Sequence, residues 1–296
     1  MRSDLVRSDL VRSDLLRSDL LRSDLLRSDL VRSDLVRSDL VVNGAGERYL
    51  DHVRKAAFAY ESGMTRPRAV MAGETLHIIQ RGNNRGACFL DDEDRERYLA
   101  ALLRASRRAR CHVHAYVLMT NHVHVLATAG DANAPARMMK TLGCTYVRHF
   151  NERYERTGTL WEGRYRSSRI DSERYFLQCS RYVELNPVRA GLAGTPWEWR
   201  WSSFRSNADG QPDALVQPHA LYLALGSTSS ERREAYRALF STPVAQPVID
   251  SIRRATNKGI PLEFEDSGSD LERRLARRSR AKRVDSERPR SELALR

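Results

Sequence analysis

The sequence predicts an α+β protein whose centre is a ferredoxin-like βαββαβ sandwich with an antiparallel sheet. Three features of residues 75–185 indicate this fold class. Four short segments have the composition or the alternation of strands, and two of them are joined by a tight hairpin. Stretches with helical periodicity separate the strands in the order βαββαβ, which is typical of this sandwich.

The first half of the domain contains a strand, a helix and a hairpin. A turn-rich Gly-Asn-Asn-Arg-Gly segment ends the first strand, and paired aspartates are suited to cap the helix that follows. Apolar residues then recur at helical spacing, and two β-rich segments meet near Thr120-Asn121. The predicted elements are the strand Thr75–Arg81, the loop 82–86, a helix from Asp91-Asp92 to about Arg110, and the strands Cys111–Met119 and His122–Thr128.

The second half is predicted to contain two helices around a fourth strand. Pro135 is suited to the first turn of a helix that reaches about Tyr154. The segment 164–170 (RYRSSRI) has the composition of a strand. Ser172 could cap a third helix that runs to about Leu185 and stops before Asn186-Pro187.

Residues 2–41 are eight tandem copies of RSDLV or RSDLL. Each copy carries one Arg and one Asp, so the block is neutral and the net charge of +12 lies outside it. The unit resembles pentapeptide repeats that form a four-sided β-helix, but near-identical copies also suggest a short DNA repeat read in frame upstream of a start at Met64. We expect residues 1–63 to be dispensable.

Two further regions are expected after this repeat. Residues 64–207 are predicted to form the globular domain that contains these strands and helices. Residues 208–296 are predicted to be a basic helical extension, which begins with a polar linker over 208–220 and contains a disordered or DNA-contacting tail over 273–283.

Composition limits the partners. A pI near 9.9 favours a polyanion, with nucleic acid as the first expectation and an anionic membrane surface as the second. No apolar run approaches the ~20 residues of a membrane helix. The four cysteines form no C-x-x-C pair, which favours reduced thiols over a zinc ribbon. We therefore expect a cytoplasmic, nucleoid-associated protein that is not bound to a membrane.

The hairpin carries His-Val-His twice, at 112–114 and 122–124. Residues i and i+2 of a strand point the same way, so either pair could present two imidazoles to one divalent ion. A two-residue loop would place the pairs on opposite faces, and a three-residue loop would place them on one face. The spacing alone is also common among hydrogen-bonded histidines, so it does not choose between these alternatives.

Tyr182 and Asn186 are four residues apart at the end of the third predicted helix. This spacing can direct a hydroxyl and an amide oxygen at one point. The alternative is that Tyr182 belongs to the core and that Asn186 only ends the helix before Pro187.

Four segments together resemble the single-tyrosine HUH transposases, and most of all their REP-associated branch. The segments are HIIQRGNNR (77–85), HAYVLMTNHVHVL (114–126), GTLWEGRY (158–165) and RYVELNPVRAG (181–191). The resemblance spans roughly residues 64–205, and PHALYLALG (218–226) and IRRATNKG (252–259) continue it weakly. The family shows nothing like the RSDLV block.

The resemblance implies a metal-assisted endonuclease that nicks and rejoins single-stranded, hairpin-containing DNA through a 5′-phosphotyrosine. Tyr182 would be the nucleophile, His122 and His124 would bind Mg²⁺ or Mn²⁺, and His114 would not be a ligand. Asn186 occupies the position at which insertion-sequence relatives usually carry a Gln as third ligand. Alternatives are an HUH replication initiator or relaxase, or a DNA-binding protein on a transposase scaffold. A monomer or a homodimer is expected.

Basic, polar and aromatic residues in two segments are the expected DNA contacts. The loop could cradle a phosphate, and the second segment has the composition of a single-strand platform. An ordinary polar turn and a core position for Trp161 are the alternatives, and Trp197, Trp199 and Trp201 are expected in the core. The expected contacts are Arg81, Asn83, Asn84, Arg85, Trp161, Arg164, Tyr165, Arg166 and Arg169.

Overall fold

A four-stranded antiparallel sheet organises the part of the chain that the computed structural model describes, residues 70–170 and 173–262. The strands lie in the order β2-β3-β1-β4, and every neighbouring pair is antiparallel. This order confirms the predicted α+β class and the βαββαβ arrangement. The strands are β1 (Thr75–Arg81), β2 (Cys111–Leu118), β3 (His122–Ala129) and β4 (Arg166–Arg169).

Two long helices, α1 (Asp92–Ala109) and α2 (Ala134–Arg153), cover one face of the sheet. The Asp91 side chain accepts from the Asp94 amide and so caps α1, as the sequence predicts. Pro135 lies in the first turn of α2, where its missing N–H removes no helical hydrogen bond. Apolar residues of both helices pack on the same core as Leu76, Ile78 and Val123 of the sheet.

The helices that follow β4 cover the opposite face. A buried cluster joins residues of α3 to the strands and to the later helices, and includes Phe176, Tyr182, Phe204, Tyr236 and Ile252. The described helices after residue 207 therefore pack against this face of the sheet. These helices are α3 (Glu173–Glu184), α4 (Asn186–Arg189), α5 (Phe204–Asp209), α6 (Ala220–Leu223), α7 (Ser229–Ala238) and α8 (Gln246–Lys258).

The β2–β3 hairpin has a two-residue turn, because the Met119 amide donates to the His122 carbonyl at 2.9 Å. Near the turn Val117 pairs with His124, whereas farther along His112 pairs with Thr128, and a β-bulge lies between Val113 and Ala115. The extra residue shifts the register by one. Directly opposed residues share a face, so the bulge returns the first histidine pair to the face of the second. Both sequence alternatives assumed a regular hairpin and missed this outcome.

Residues expected to form a linker, 208–220, instead lie partly along the sheet. Val216 forms a bridge with Val113, and the Gln217 amide donates to the Val113 carbonyl at 2.7 Å. The main chain beside the β2 edge therefore has a structural role that its polar composition does not reveal. The expectations for the RSDLV block, the tail over 273–283 and the Ser172 cap lie outside the described residues. Within the described residues, no helix is both long and apolar enough to cross a membrane.

Candidate histidine–tyrosine site

His122 and His124 lie on β3 with Val123 between them, which points into the core on the other face. Their ring centroids are 5.1 Å apart, and the rings are nearly perpendicular. His122 Nδ1 lies 2.7 Å from Asn121 Oδ1, and Asn121 Nδ2 donates to the Arg85 carbonyl at 3.0 Å. Because the amide oxygen can only accept, His122 Nδ1 carries the proton. The Nε2 atom of a neutral His122 therefore keeps a lone pair for a ligand.

His77 is the third imidazole of this cluster, and sequence reasoning missed it. Its ring is nearly parallel to that of His124, with centroids 5.0 Å apart, and its Nε2 lies 2.8 Å from His124 Nδ1. A single histidine in a strand carries no spacing signal of its own. Its face could have been found from the alternation in TLHIIQR, where Leu76 and Ile78 enter the core and His77 points away from it.

Tyr182 of α3 packs edge-on against His124 and His77, with ring centroids 5.7 Å and 5.8 Å apart. The Arg189 guanidinium lies over the Tyr182 ring at 4.2 Å, and its Nη1 donates to the Tyr182 carbonyl at 2.9 Å. Arg189 Nε and Nη2 are buried without a hydrogen-bond partner within the described residues. A positive charge with two unsatisfied donors therefore lies next to the tyrosine.

Burial keeps the imidazoles of the site neutral at pH 7. It lowers the pKa of His77 and of His122 to about 4, and nearby arginines lower both pKa values further. The pKa of His124 is also well below its usual range, first because of burial and then because of its histidine neighbours. Neutral imidazole is the form that binds a metal ion, so no proton has to be displaced from the ring nitrogen that faces the ion.

Asn186 is the first residue of α4, and its Nδ2 is buried without a hydrogen-bond partner among the described residues. Two imidazole nitrogens and an amide oxygen form a donor set that suits Mn²⁺, and Mg²⁺ if waters complete its shell. Within residues 70–170 and 173–262 no three His, Cys, Asp or Glu side chains form a metal-binding group. A cation bound by the predicted ligands would be held by two histidine nitrogens and one amide oxygen.

The first histidine pair is engaged differently. His114 Nδ1 donates to the Gln217 carbonyl at 2.7 Å, and His114 Nε2 lies 2.8 Å from the Thr128 hydroxyl. His112 Nδ1 bonds the Gln217 side chain. Both ring nitrogens of the buried His114 are used within the fold, which agrees with the expectation that it is not a ligand.

The loop at the end of β1 packs against the turn that precedes His122. The Gly82 amide donates to the Asn121 carbonyl at 2.8 Å, and a Cβ at Gly82 would lie 2.2 Å from the Gly86 carbonyl oxygen. Only glycine fits there. Asn83, Asn84 and Arg85 are exposed on this loop, close to the histidines, as an interface with DNA would require.

The second segment of expected DNA contacts contains both exposed and buried residues. Arg164 and Arg166 are exposed and line a depression together with Arg81 and Asn257. Trp161 and Tyr165 are instead only 5% and 8% exposed and belong to the core, so they offer no platform for base stacking. That expectation is corrected because both rings fill the space beside the two covering helices. Arg169 pairs with Glu74 at 3.0 Å and is half-buried.

The fold and the site define an α+β protein with a histidine–tyrosine centre beside an arginine-rich edge. The family model for IS200-like transposases matches residues 71–186, from just before β1 to the start of α4. Residues 71–186 are therefore similar to IS200-like transposases, which agrees with the family expected from the four motifs.

Two solved structures are similar to part of the chain. A REP-associated tyrosine transposase bound to a REP hairpin is 18% identical, with a TM-score of 0.42 over 52% of this chain and 91% of the other. A candidate transposase from Deinococcus radiodurans R1 is 21% identical, with a TM-score of 0.30 over 41% of this chain and 96% of the other. Likeness at this level does not extend to function. No curated protein matches the chain.

Proposed function

We propose that this protein cleaves and rejoins single-stranded DNA next to a hairpin, through a covalent 5′-phosphotyrosine at Tyr182. The observation that carries the proposal is the packing of the Tyr182 ring 5.7 Å from that of His124, on the face where His122 and His124 keep their Nε2 atoms uncommitted. The REP-associated branch, which the Asn-Pro-Val form after Tyr182 resembles, is part of this proposal.

The reaction would be a phosphoryl transfer. The Tyr182 oxygen attacks the scissile phosphorus, the bond from phosphorus to the 3′ oxygen breaks, and that oxygen leaves as a 3′ hydroxyl. A second 3′ hydroxyl can attack the same phosphorus, release Tyr182 and join two strands. The phosphotyrosine conserves the free energy of the phosphodiester, so no nucleotide cofactor is required.

Positive charge and ligand atoms at the site support this chemistry. His122, His124 and the Asn186 amide oxygen would hold Mg²⁺ or Mn²⁺, which when bound would neutralise the phosphate and stabilise the leaving oxygen. Arg189 Nε and Nη2 are buried donors without a partner within the described residues. A phosphate oxygen that accepts from them would relieve the cost of this unsatisfied cation.

DNA would approach along the edge that carries the exposed loop and the arginines near Asn257. Arg81, Asn83, Asn84 and Arg85 would contact the backbone beside His122, and Arg164 and Arg166 would extend the basic track. Six of the nine expected contacts thus remain in the proposal, with Trp161, Tyr165 and Arg169 left out.

The test is covalent capture. The full chain would be incubated with labelled single-stranded hairpins from the flanks of its own gene, with Mn²⁺ or with EDTA. We expect a denaturant-stable adduct with Mn²⁺ only, which is lost in Tyr182→Phe and retained in Tyr175→Phe, a matched control on the same helix. Binding without an adduct in the unmodified protein would support a DNA-binding protein instead. An adduct that persists in Tyr182→Phe would exclude Tyr182 as the nucleophile.

A further inference from the structure

A chain of hydrogen bonds leads from α8 to the histidine site. Thr256 is buried at 4% exposure on α8, and lies beyond residue 186, where the match to the family model ends. Its hydroxyl lies 2.9 Å from His77 Nδ1, and His77 Nε2 lies 2.8 Å from His124 Nδ1. These three side chains connect a late helix to a proposed cation ligand.

The donor in each of these hydrogen bonds can be deduced, starting from Thr256. The Thr256 hydroxyl donates its only hydrogen to the Ile252 carbonyl at 2.8 Å, and a carbonyl can only accept. Thr256 must therefore accept from His77 Nδ1. A second lone pair of Thr256 is available to the Ser168 hydroxyl at 3.2 Å. All the hydrogen-bonding capacity of Thr256 is then used.

The hydrogen bond between His77 and His124 fixes the position of the His124 proton. A neutral His77 that carries its proton on Nδ1 has only a lone pair on Nε2, so His124 Nδ1 must donate to it. His124 then carries its proton on Nδ1 and keeps a lone pair on Nε2, which has no hydrogen-bond partner among the described residues. The opposite tautomer would place a hydrogen on Nε2 and prevent that atom from binding a cation.

We propose that Thr256 is a positioning residue that fixes the Nδ1–H tautomer of His124 through His77. The tautomer part of the proposal stands on the three hydrogen bonds alone, whereas its consequence for cation binding rests on the proposed function. Metal-binding histidines commonly donate their second ring nitrogen to a partner that orients them. Here that partner is a second histidine, whose own orientation is set by a hydroxyl 179 residues farther along the chain.

The test compares Thr256→Val, which keeps the shape and removes the hydroxyl, with Thr256→Ser, which keeps the hydroxyl. In the metal-free full chain with ¹⁵N-labelled histidine, ring ¹⁵N shifts report which nitrogen carries the proton. His77→Gln and His124→Gln variants assign the two signals among the eight histidines of the chain. We expect the Nδ1–H form of both rings in the unmodified protein and in Thr256→Ser. In Thr256→Val the tautomers should reverse, because a proton on His77 Nδ1 would have no acceptor.

Mn²⁺ affinity, measured by titration calorimetry, provides the second readout. We expect Thr256→Val to weaken Mn²⁺ binding by about 10- to 100-fold, the effect typical of lost outer partners of metal ligands, and Thr256→Ser to change it less than ~2-fold. Unchanged tautomers in a folded Thr256→Val would overturn the proposal whatever the metal does. Reversed tautomers without any Mn²⁺ binding to the unmodified protein would confirm the positioning role and contradict the cation site of the proposed function.

Discussion

The two His-Val-His pairs of the hairpin have the same sequence and lie on the same face of the sheet, but their ring nitrogens have different hydrogen-bond partners. His114 of the first pair uses both ring nitrogens, one on the Gln217 carbonyl and one on the Thr128 hydroxyl. His122 and His124 of the second pair use only Nδ1, on Asn121 and on His77. His114 therefore keeps no ring nitrogen for a ligand, whereas His122 and His124 each keep Nε2.

The surroundings explain this difference. The first pair lies at the end of β2 where the segment around Gln217 covers the sheet edge. The second pair lies beside the turn, where each Nδ1 has a hydrogen-bond partner and the His124 ring packs against Tyr182 of α3. His114, whose two ring nitrogens are bonded within the fold, should contribute stability. His122 and His124, whose Nε2 atoms have no hydrogen-bond partner among the described residues, should contribute function.

The largest expected effect is the loss of cation binding in His122→Ala. This change removes a proposed ligand, and the DNA adduct should disappear. Loss of a residue that only hydrogen-bonds a metal ligand typically lowers metal affinity by ~10- to 100-fold, so the loss of Mn²⁺ affinity here should be larger. His112→Ala, the corresponding exposed residue of the first pair, is the matched control and should leave both unchanged. Titration calorimetry and the adduct assay measure the two effects. Equal losses in both variants would mean that the pairs do not differ in function.

The next effect is a loss of stability in His114→Ala. It removes a buried ring, leaves the Gln217 carbonyl and the Thr128 hydroxyl without their partner, and should lower the free energy of unfolding by roughly 3 kcal/mol. His112→Ala should cost less than ~1 kcal/mol, because its ring is exposed. Urea unfolding measures both. A His114→Ala protein as stable as His112→Ala would contradict the structural role of the first pair.

The smallest effect is on the pH dependence of stability. Burial lowers the pKa of His114 to about 4, as it does for His77 and His122. An unfolded chain binds these protons below about pH 6.5, so the native state binds fewer protons between pH 4 and 6.5. The free energy of unfolding should therefore fall as the pH is lowered through this window.

His114→Ala should reduce the number of protons that the chain takes up on unfolding by up to one. The free energy of unfolding should then fall less steeply as the pH is lowered. The buried Glu184 acts in the opposite direction, because burial raises its pKa to about 7 and its contribution is lost as the pH rises from about 4.5 to 7. Comparison of the variant with the unmodified protein cancels the Glu184 contribution. Urea unfolding between pH 4.5 and 7 is the measurement, and an identical slope in both proteins would show that His114 does not titrate abnormally.

Much of the fold was predictable, because strand alternation, the Asp91 cap and Pro135 are local signals. The bulge in β2 was not, since register depends on how the segment around Gln217 and the helices pack, and no residue type between Val113 and Ala115 marks it. Residues of the site that are brought together only by tertiary packing were also not predictable. His122, His124 and Tyr182 could be named from motifs, whereas His77 and Thr256 join them only through the sheet register and the packing of α8.

The most direct measurement is the location of Mn²⁺ in crystals of the full chain by anomalous scattering. We expect one manganese peak among the described residues, within coordination distance of Nε2 of both His122 and His124, and no peak at His112 or His114. A peak on the first pair, or a manganese ion bound elsewhere while His122 and His124 remain unliganded, would contradict the central claim that only the second pair is open to a ligand.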